Sequence, residues 1–363
     1  MKRLLPGWVK WPQLDLPLLA ALLLLMAMGL FVLYSASGGS MDVVYRQGVR
    51  LGVGLVAMLV LSQVPPHILR IWTPWLYGLG VLLLLATWFF GTGRATNRWL
   101  DLGLIRFQPS EIMKLGVPMM MAWYLHPRRL RPDAVTVLTS VAILAVPEVQ
   151  IARQPDLGTS LLVAVSGVFA LFLYGLHWRA IFGMAGLAIA AAPALWFVMK
   201  DYQRQRVLTF LDPESDPLGS GWNIIQSKIA VGSGGLVGKG WLHGTQSRLE
   251  FIPERHTDFI LAVLSEEFGL VGVLLLFAVY LFIAGRCLYI AALARITYAR
   301  LLAGSLGLTF FVYVLVNAGM VSGLLPVVGV PLPLVSYGGT SIVTLLAGFG
   351  IMMSIYGHRN FIR

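Results

Sequence analysis

The sequence has 363 residues, of which 58% are hydrophobic and 12% are charged, and its formal net charge at pH 7 is +11. An ordinary soluble domain carries roughly a quarter charged residues, so this composition excludes a soluble globular fold and indicates a membrane protein. The single cysteine, Cys287, excludes a disulfide framework and a cysteine-rich metal site.

Apolar windows of near-membrane length recur along the whole chain and predict an all-α polytopic integral membrane protein with about ten transmembrane helices. They cover residues 16–36, 48–64, 72–90, 109–126, 134–150, 157–175, 180–199, 258–285, 301–322 and 337–356. The first window is longer than a signal-peptide core and lacks a small-x-small cleavage site, so we expect a retained span.

The basic residues in the short connecting segments predict the orientation of the chain. If the N-terminus is cytoplasmic, those at 2–10, 128–131 and 286–300 all fall on the cytoplasmic side, as the positive-inside rule requires. An even number of spans then places both termini in the cytoplasm. We expect residues 1–363 to form a single membrane domain, with 200–257 as a large extracytoplasmic loop between spans seven and eight. That loop carries enough apolar side chains to predict short amphipathic helices.

The first outer stretch with candidate functional residues is RWLDLGLIRFQPSEIMKLG, which contains Trp99, Arg106, Glu111 and Lys114. Glu111 and Lys114 are three residues apart and therefore share one helix face. Because they fall at the start of an apolar span, the pair is a candidate functional site. The alternative interpretation is a structural ion pair that holds two helices together.

Two further outer segments supply candidate residues. In QPDLGTS, Asp156 stands at the first turn of a span, where it is either a helix cap or a functional acid. The loop motif DYQRQRV contributes Arg204 and Arg206, whose guanidinium groups suit phosphate oxygens. The glycine-rich stretch near Lys239 fails the nucleotide-binding P-loop pattern at Ser233 and Gly240. Its glycines instead predict tight turns whose backbone amides approach another group.

The segment ERHTDFI places His256 and Asp258 at the outer mouth of the eighth span, with Thr257 as the expected N-cap. Asp258 there is positioned to accept a proton from a substrate hydroxyl. Alternatively it only complements the helix N-terminus, and the helix dipole argues against a raised pKa. Glu266 lies about two turns further along the helix, so a carboxylate pair with Asp258 is not expected. His243, His256 and Asp258 show no specific metal-ligand spacing.

Between the last two windows, GLLPVVGVPLPLVSYGGTS interrupts the helical pattern with prolines and glycines. Irregular backbone at membrane depth is tolerated only where protein or water satisfies its polar groups. We therefore expect this segment to line a cavity wall.

These motifs resemble the SEDS family, named for shape, elongation, division and sporulation. The resemblance runs from the first span to the tenth and is carried by RWLDLG, RFQPSE, QPDLGTS, DYQRQRV, DPESDPLGSG, IQSKIAVGSGG, GKGWLHGTQ, ERHTDFI and PLPLVSYGG. The wording of the long loop favours the elongation branch of the family over the division branch.

The resemblance implies a peptidoglycan glycosyltransferase that polymerises lipid II into glycan strands and releases undecaprenyl diphosphate. It further implies a class B penicillin-binding protein transpeptidase as partner, the elongation machinery, and no nucleic acid. By similarity, Asp258 would deprotonate the acceptor hydroxyl at the periplasmic face of the cytoplasmic membrane. Substrate binding would fall to Arg46, Trp99, Arg106, Glu111, Lys114, Asp156, Gln203, Arg204, Arg206 and His256. A divalent cation, Mg²⁺ or Mn²⁺, stays open.

Two other functions remain in competition. The first is transport, in which the chain flips lipid II and the Glu111–Lys114 pair serves the transport path. The second is a scaffold that recruits the transpeptidase without catalysis. The concentration of charged residues on one face of the membrane, away from its midplane, argues against a transporter.

Overall fold

The fold is mostly helical in a computed structural model of the chain. The described residues are 14–92, 98–101, 106–128, 132–176, 201–215, 221–248, 251 and 254–359, together with isolated positions between 182 and 199. The predicted seventh span, 180–199, therefore lies mostly outside the described residues.

Most of the predicted spans correspond to long helices. These are α1 (Leu16–Ala36), α2 (Met41–Gln63), α3 (Pro66–Phe90), α4 (Pro109–Leu125), α5 (Ala134–Arg153), α6 (Leu157–Gly175), α10 (Ile260–Leu293), α11 (Thr297–Val321) and α12 (Thr340–Gly357). Three short helices follow residue 200: α7 (Asp201–Leu211), α8 (Trp222–Ser233) and α9 (Thr245–Arg248). The expectation of short helices in this segment is confirmed.

Eight helices in the described part of the chain are long and apolar enough to cross a membrane. The shorter α4 has 17 residues and carries Glu111 and Lys114, yet it packs among α3, α6 and α11 in the middle of the bundle. The helices α2 and α3 begin earlier than their hydropathy windows, at Met41 and Pro66, because polar residues near their starts, such as Arg46 and Arg70, are helical without belonging to an apolar window. The helix α10 likewise runs on to Leu293.

Aspartate side chains fix the starts of three spans. The carboxylates of Asp15, Asp133 and Asp156 accept hydrogen bonds from backbone N–H groups in the first turns of α1, α5 and α6, at 2.9, 2.9 and 3.2 Å. Such caps satisfy donors that the helix cannot satisfy itself. Asp15 is fully buried and also binds Arg286 of α10, at 2.7 Å, which ties the first span to the eighth.

A small hairpin departs from the expected all-α fold. Strand β1 (Leu100–Asp101) pairs antiparallel with β2 (Arg106–Phe107), and a bridge between Thr92 and Trp99 extends the pairing towards α3. The hairpin connects the outer ends of α3 and α4, where backbone outside the helices needs other partners for its N–H and C=O groups. It carries Trp99 and Arg106 to one edge of the bundle.

The helix α10 breaks its regular geometry at Gly269, whose φ is +62° and ψ is −160°. The glycine-rich segment 234–240 packs directly on this break, and a Cβ at Gly234, Gly238 or Gly269 would collide with backbone atoms of the other segment. The backbone N–H groups of Lys239 and Gly240 donate to the carbonyls of Glu266 and Glu267, both at 3.0 Å. The predicted tight turns therefore exist, and the group that their amides approach is α10 itself.

Candidate active site

Asp258 lies half-buried just before α10, which begins at Ile260 with Phe259 as its N-cap. The prediction that Thr257 is the N-cap is wrong, because the Thr257 hydroxyl donates to the Glu254 carboxylate at 2.6 Å instead of to α10. Asp258 therefore precedes the first turn of α10 and does not serve as its N-cap.

The pKa of Asp258 is raised to about 6: burial is the largest cause, the nearby Glu254 adds to the rise, and Arg206 opposes both. The expectation that the helix dipole prevents a raised pKa is therefore wrong: the carboxylate is outside the helix, and loss of hydration dominates. A carboxylate with a pKa near 6 is a stronger base than an ordinary aspartate and is still ionised at neutral pH.

The backbone around Asp258 is tied to the proline-rich segment 322–339. The amide nitrogen of Asn317, in α11, donates to the carbonyl oxygens of Asp258 and Val330, both at 2.8 Å. The Ser336 hydroxyl donates to the Thr257 carbonyl at 2.6 Å, and the Tyr337 N–H donates to the His256 carbonyl at 2.8 Å. Residues 256–258 are consequently held in place by hydrogen bonds that their three consecutive backbone carbonyls accept.

A glycine faces the carboxylate. Gly329 has a φ of +77°, and a Cβ built on it would lie 3.6 Å from Asp258 Oδ2. A side chain there would be strained by its backbone conformation, and its Cβ would lie in van der Waals contact with the carboxylate. Because residue 329 is a glycine, it places no side chain against this carboxylate oxygen.

The first turn of α6 meets the same proline-rich segment. A Cβ on Gly158 would lie 2.7 Å from the Val328 carbonyl oxygen, so no larger residue fits. Two residues earlier, Asp156 is buried, caps α6 and accepts a hydrogen bond from Gln108 Nε2 at 2.7 Å. Arg98 lies 3.9 Å from Asp156 and binds the Gln154 carbonyl at 2.7 Å. The cap interpretation of Asp156 is correct, and the network also joins it to the hairpin.

A cavity of about 1200 Å³ opens between α2, the hairpin and the start of α12. Its lining combines apolar residues with two arginines, Arg50 and Arg106, and includes Trp99 and Tyr337. The expectation that the proline- and glycine-rich segment lines a cavity wall is confirmed for residues 337–339. Arg50 was not predicted; its guanidinium lies over the Tyr337 ring at 4.4 Å and donates to the Gly338 carbonyl at 3.2 Å.

Glu111 and Lys114 form the expected ion pair, with 2.6 Å between Lys114 Nζ and Glu111 Oε1. Both side chains are buried, and Lys114 also lies 5.5 Å from the centre of the Tyr313 ring. The second carboxylate oxygen of Glu111 has no hydrogen-bond partner within the described part of the chain. Lys114 lines a small cavity that shares Thr344 with the large one, and neither Glu111 nor Lys114 lines the large cavity.

The remaining predicted binding residues are more scattered. Arg46 is exposed and donates to the Asp42 carbonyl, without lining the cavity. Arg204 binds the Trp196 and Phe197 carbonyls at 2.9 and 3.0 Å and pairs with Asp201 at 3.8 Å. Gln203 and Arg206 belong to the same helix, α7, and Arg206 is the member that acts on Asp258.

Glu266 takes a structural position in α10. Its Oε1 accepts hydrogen bonds from Lys239 Nζ at 2.7 Å, from the Thr245 N–H and hydroxyl at 2.8 and 2.9 Å, and from the Gln246 N–H at 3.1 Å. Lys239 follows α8, and Thr245 and Gln246 begin α9, in agreement with the expectation that Glu266 does not pair with Asp258.

The described residues contain no group of three or more His, Cys, Asp or Glu side chains placed to hold a metal ion.

Comparison with known proteins gives a consistent pattern. The family model for FtsW, RodA and SpoVE, described as "Cell cycle protein", matches residues 16–360. The peptidoglycan glycosyltransferase MrdB of Escherichia coli K12 is 55% identical over 350 residues, covering 96% of this chain and 94% of MrdB. A probable peptidoglycan glycosyltransferase FtsW of Trichlorobacter lovleyi is 34% identical, covering 94% and 93% of the two chains.

Two solved structures share the fold. A chain of a peptidoglycan synthase complex, described as coordinating polymerization and crosslinking, aligns with a TM-score of 0.85 at 33% identity, covering 96% of this chain and 99% of that one. The crystal structure of the rod shape determining protein RodA of Thermus thermophilus aligns with a TM-score of 0.74 at 28% identity and the same coverage.

Proposed function

The chain belongs to the FtsW/RodA/SpoVE family of cell cycle proteins, and we propose that Asp258 is the general base of its glycosyl transfer. It is a multi-pass membrane protein and a peptidoglycan glycosyltransferase, with an elongation role implied by its similarity to MrdB and RodA. The observation that carries the proposal is the half-buried Asp258 carboxylate, whose pKa burial raises to about 6.

In the proposed reaction, the Asp258 carboxylate accepts the proton of an acceptor sugar hydroxyl. The hydroxyl oxygen attacks the anomeric carbon of a lipid-linked donor, so a new glycosidic C–O bond forms. The C–O bond to the diphosphate breaks at the same carbon, and its electron pair leaves with undecaprenyl diphosphate. General-base help of this kind contributes about 10²- to 10⁴-fold to a rate.

The cavity of about 1200 Å³ fits the lipid-linked donor. Val49, Val53 and Val343 supply apolar wall for an isoprenoid chain, whereas Arg50 and Arg106 place two guanidinium groups at its rim. Arginine binds phosphate oxygens in a bidentate manner. We therefore assign the donor diphosphate to this rim, with Trp99 against the sugar.

The finer topology belongs to the same proposal. Ten spans place both termini in the cytoplasm and the 200–257 segment outside the cytoplasmic membrane, because basic residues gather in the opposite short segments. That orientation puts Asp258 on the periplasmic side, where peptidoglycan is assembled. A class B penicillin-binding protein is the expected partner, since one structural relative belongs to a complex that couples polymerization to crosslinking.

A divalent cation, Mg²⁺ or Mn²⁺, would enter bound to the substrate diphosphate, whose oxygens are the hard ligands these ions prefer. Addition of a chelator to the purified enzyme tests this: restoration of activity by Mg²⁺ supports the idea, and full activity in chelator contradicts it.

The proposal is tested with purified protein, its transpeptidase partner and labelled lipid II in detergent. Wild type is expected to form glycan polymer, and Asp258→Asn to form about 100-fold less or none. Asp42→Asn is the matched control, because Asp42 is an exposed acid in the first turn of α2. Undiminished polymer from Asp258→Asn would overturn the assignment.

A further inference from the structure

Asn317 is a buried polar residue on α11, an element that contributes no predicted catalytic group. Its side chain has no solvent exposure. Its amide nitrogen has two hydrogens and meets two carbonyl oxygens, those of Asp258 and Val330, each at 2.8 Å. The amide oxygen has no hydrogen-bond partner among the described residues.

The chemistry of this contact requires an amide. Two carbonyl oxygens are acceptors only, so a group between them must donate twice. If the amide were turned over, its oxygen would face both acceptors and neither carbonyl would be satisfied. A serine can donate only once, and an ionised aspartate cannot donate at all.

The two carbonyls belong to different parts of the site. One is the main-chain carbonyl of Asp258 itself, and the other adjoins Gly329, which faces the Asp258 carboxylate. The neighbouring Val328 carbonyl touches the first turn of α6, two residues from Asp156. A single side chain therefore joins the Asp258 segment to the wall that separates it from Asp156.

We propose that Asn317 is a positioning residue for glycosyl transfer, which fixes Asp258 against the 328–330 wall by donating to both carbonyls. The inference rests on the proposed role of Asp258 as the base. Asn317 does not touch the reacting atoms; it acts through the backbone of Asp258.

Positioning has a kinetic signature that differs from loss of folded protein. A displaced base lowers kcat, and a shift of about 1 Å can cost about 100-fold. The residues that line the cavity are not hydrogen-bonded to Asn317, so substrate binding and therefore KM should change little. A loosened Asp258 also gains hydration, so its pKa falls from about 6 towards the ordinary value. The acidic bend of the pH–rate profile then moves to lower pH, although Glu254 and Arg206 remain in place.

The experiment compares Asn317→Ser, Asn317→Ala and Asn317→Asp in the lipid II polymerisation assay with partner. We expect kcat to fall in the order wild type, Ser, Ala, Asp, by roughly 10- to 100-fold for Ala, with the acidic bend lowered and KM within about threefold. Ser305→Ala is the matched control, since Ser305 is also fully buried on α11 and donates to the Ser166 carbonyl at 2.6 Å. It is expected to keep the wild-type bend.

Full activity of Asn317→Asp would overturn the inference, because this isosteric variant keeps the volume but has at most one donor hydrogen, in its neutral form, and none when ionised. A reduced rate with an unchanged acidic bend in all three variants would also overturn the inference, because that result indicates only a loss of folded protein. If none of the three folds, Ser336→Ala removes the neighbouring tie to Thr257 and is judged by the same shift of the bend. Polymer from Asp258→Asn would instead refute the proposed base, whatever Asn317 does.

Discussion

Asp258 combines two properties that an exposed aspartate lacks, since burial raises its pKa to about 6 and hydrogen bonds to neighbouring carbonyls hold its backbone. Neither property is visible in the amino-acid sequence. The position of Asp258 at a helix mouth was predictable from ERHTDFI, but its burial depends on the distant residues 328–337. Sequence spacing also suggested Thr257 as a cap, because it could not reveal that Thr257 prefers Glu254.

Arg50 is a residue of the cavity that could not be predicted from the sequence. It lies in the middle of α2, one turn from Arg46, and nothing in its sequence neighbourhood distinguishes it from a snorkelling arginine at a membrane interface. Only the folded chain brings it beside Tyr337 and the cavity.

Replacement of Arg50 tests the donor rim. We expect Arg50→Ala to raise KM for lipid II about tenfold, because it removes one charge-assisted contact to the diphosphate, with a smaller effect on kcat. Arg50→Lys should fall between wild type and Ala, since an ammonium group cannot bind two oxygens as a fork. Steady-state polymerisation rates give both constants, and exposed Arg295→Ala is the control. An unchanged KM in Arg50→Ala would remove Arg50 from the rim.

At the scale of elements, the glycine-rich segment and α10 form one interlocked unit. The Glu266 carboxylate is fully buried, and a single oxygen accepts four hydrogen bonds, one from Lys239 in the segment and three from Thr245 and Gln246 in α9. The glycines of the segment predicted its turns but not their target, because the break of α10 at Gly269 falls inside an uninterrupted apolar pattern. The ion pair between Lys239 and Glu266 shows that this lysine helps to hold the loop against α10.

Removal of the Glu266 carboxylate is expected to loosen this unit. Glu266→Ala leaves Lys239 and two backbone N–H groups without their acceptor, and breaking such a pair costs about 3 kcal/mol or more. Hydrogen exchange at the backbone amides of Thr245 and Gln246 should therefore become roughly 100-fold faster. Glu214→Ala, at an exposed position in the same long segment, should leave that exchange unchanged. Equal exchange in wild type and Glu266→Ala would show that the carboxylate does not hold the segment.

Across the whole molecule, hydropathy predicted the membrane helices well, since spans depend on composition averaged over many residues. Nine of the ten predicted windows coincide with helices in the described residues, and the tenth, 180–199, lies mostly outside them. The site was less predictable, because it is assembled from segments far apart in the chain, such as α2, the hairpin and residues 337–339. Pairings of that kind leave no periodic signal.

The orientation is testable in spheroplasts that carry Cys287→Ala, which removes the only native thiol. A membrane-impermeant maleimide is expected to label Glu214→Cys in intact spheroplasts, because residue 214 belongs to the outer segment of the proposed topology. Arg295→Cys, between α10 and α11, should react only after permeabilisation. The opposite labelling pattern would reverse the topology and place Asp258 on the cytoplasmic side.

The most direct test of Asp258 as general base is the pH dependence of kcat/KM for lipid II polymerisation. The base acts only when ionised, and its folded-state pKa is raised, so the rate should fall as pH drops through that value. We expect a plateau above pH about 7, a bend near pH 6 and a tenfold loss per pH unit below it. A flat profile between about pH 5 and 8, or a bend near the ordinary aspartate value of about 4, would contradict the account.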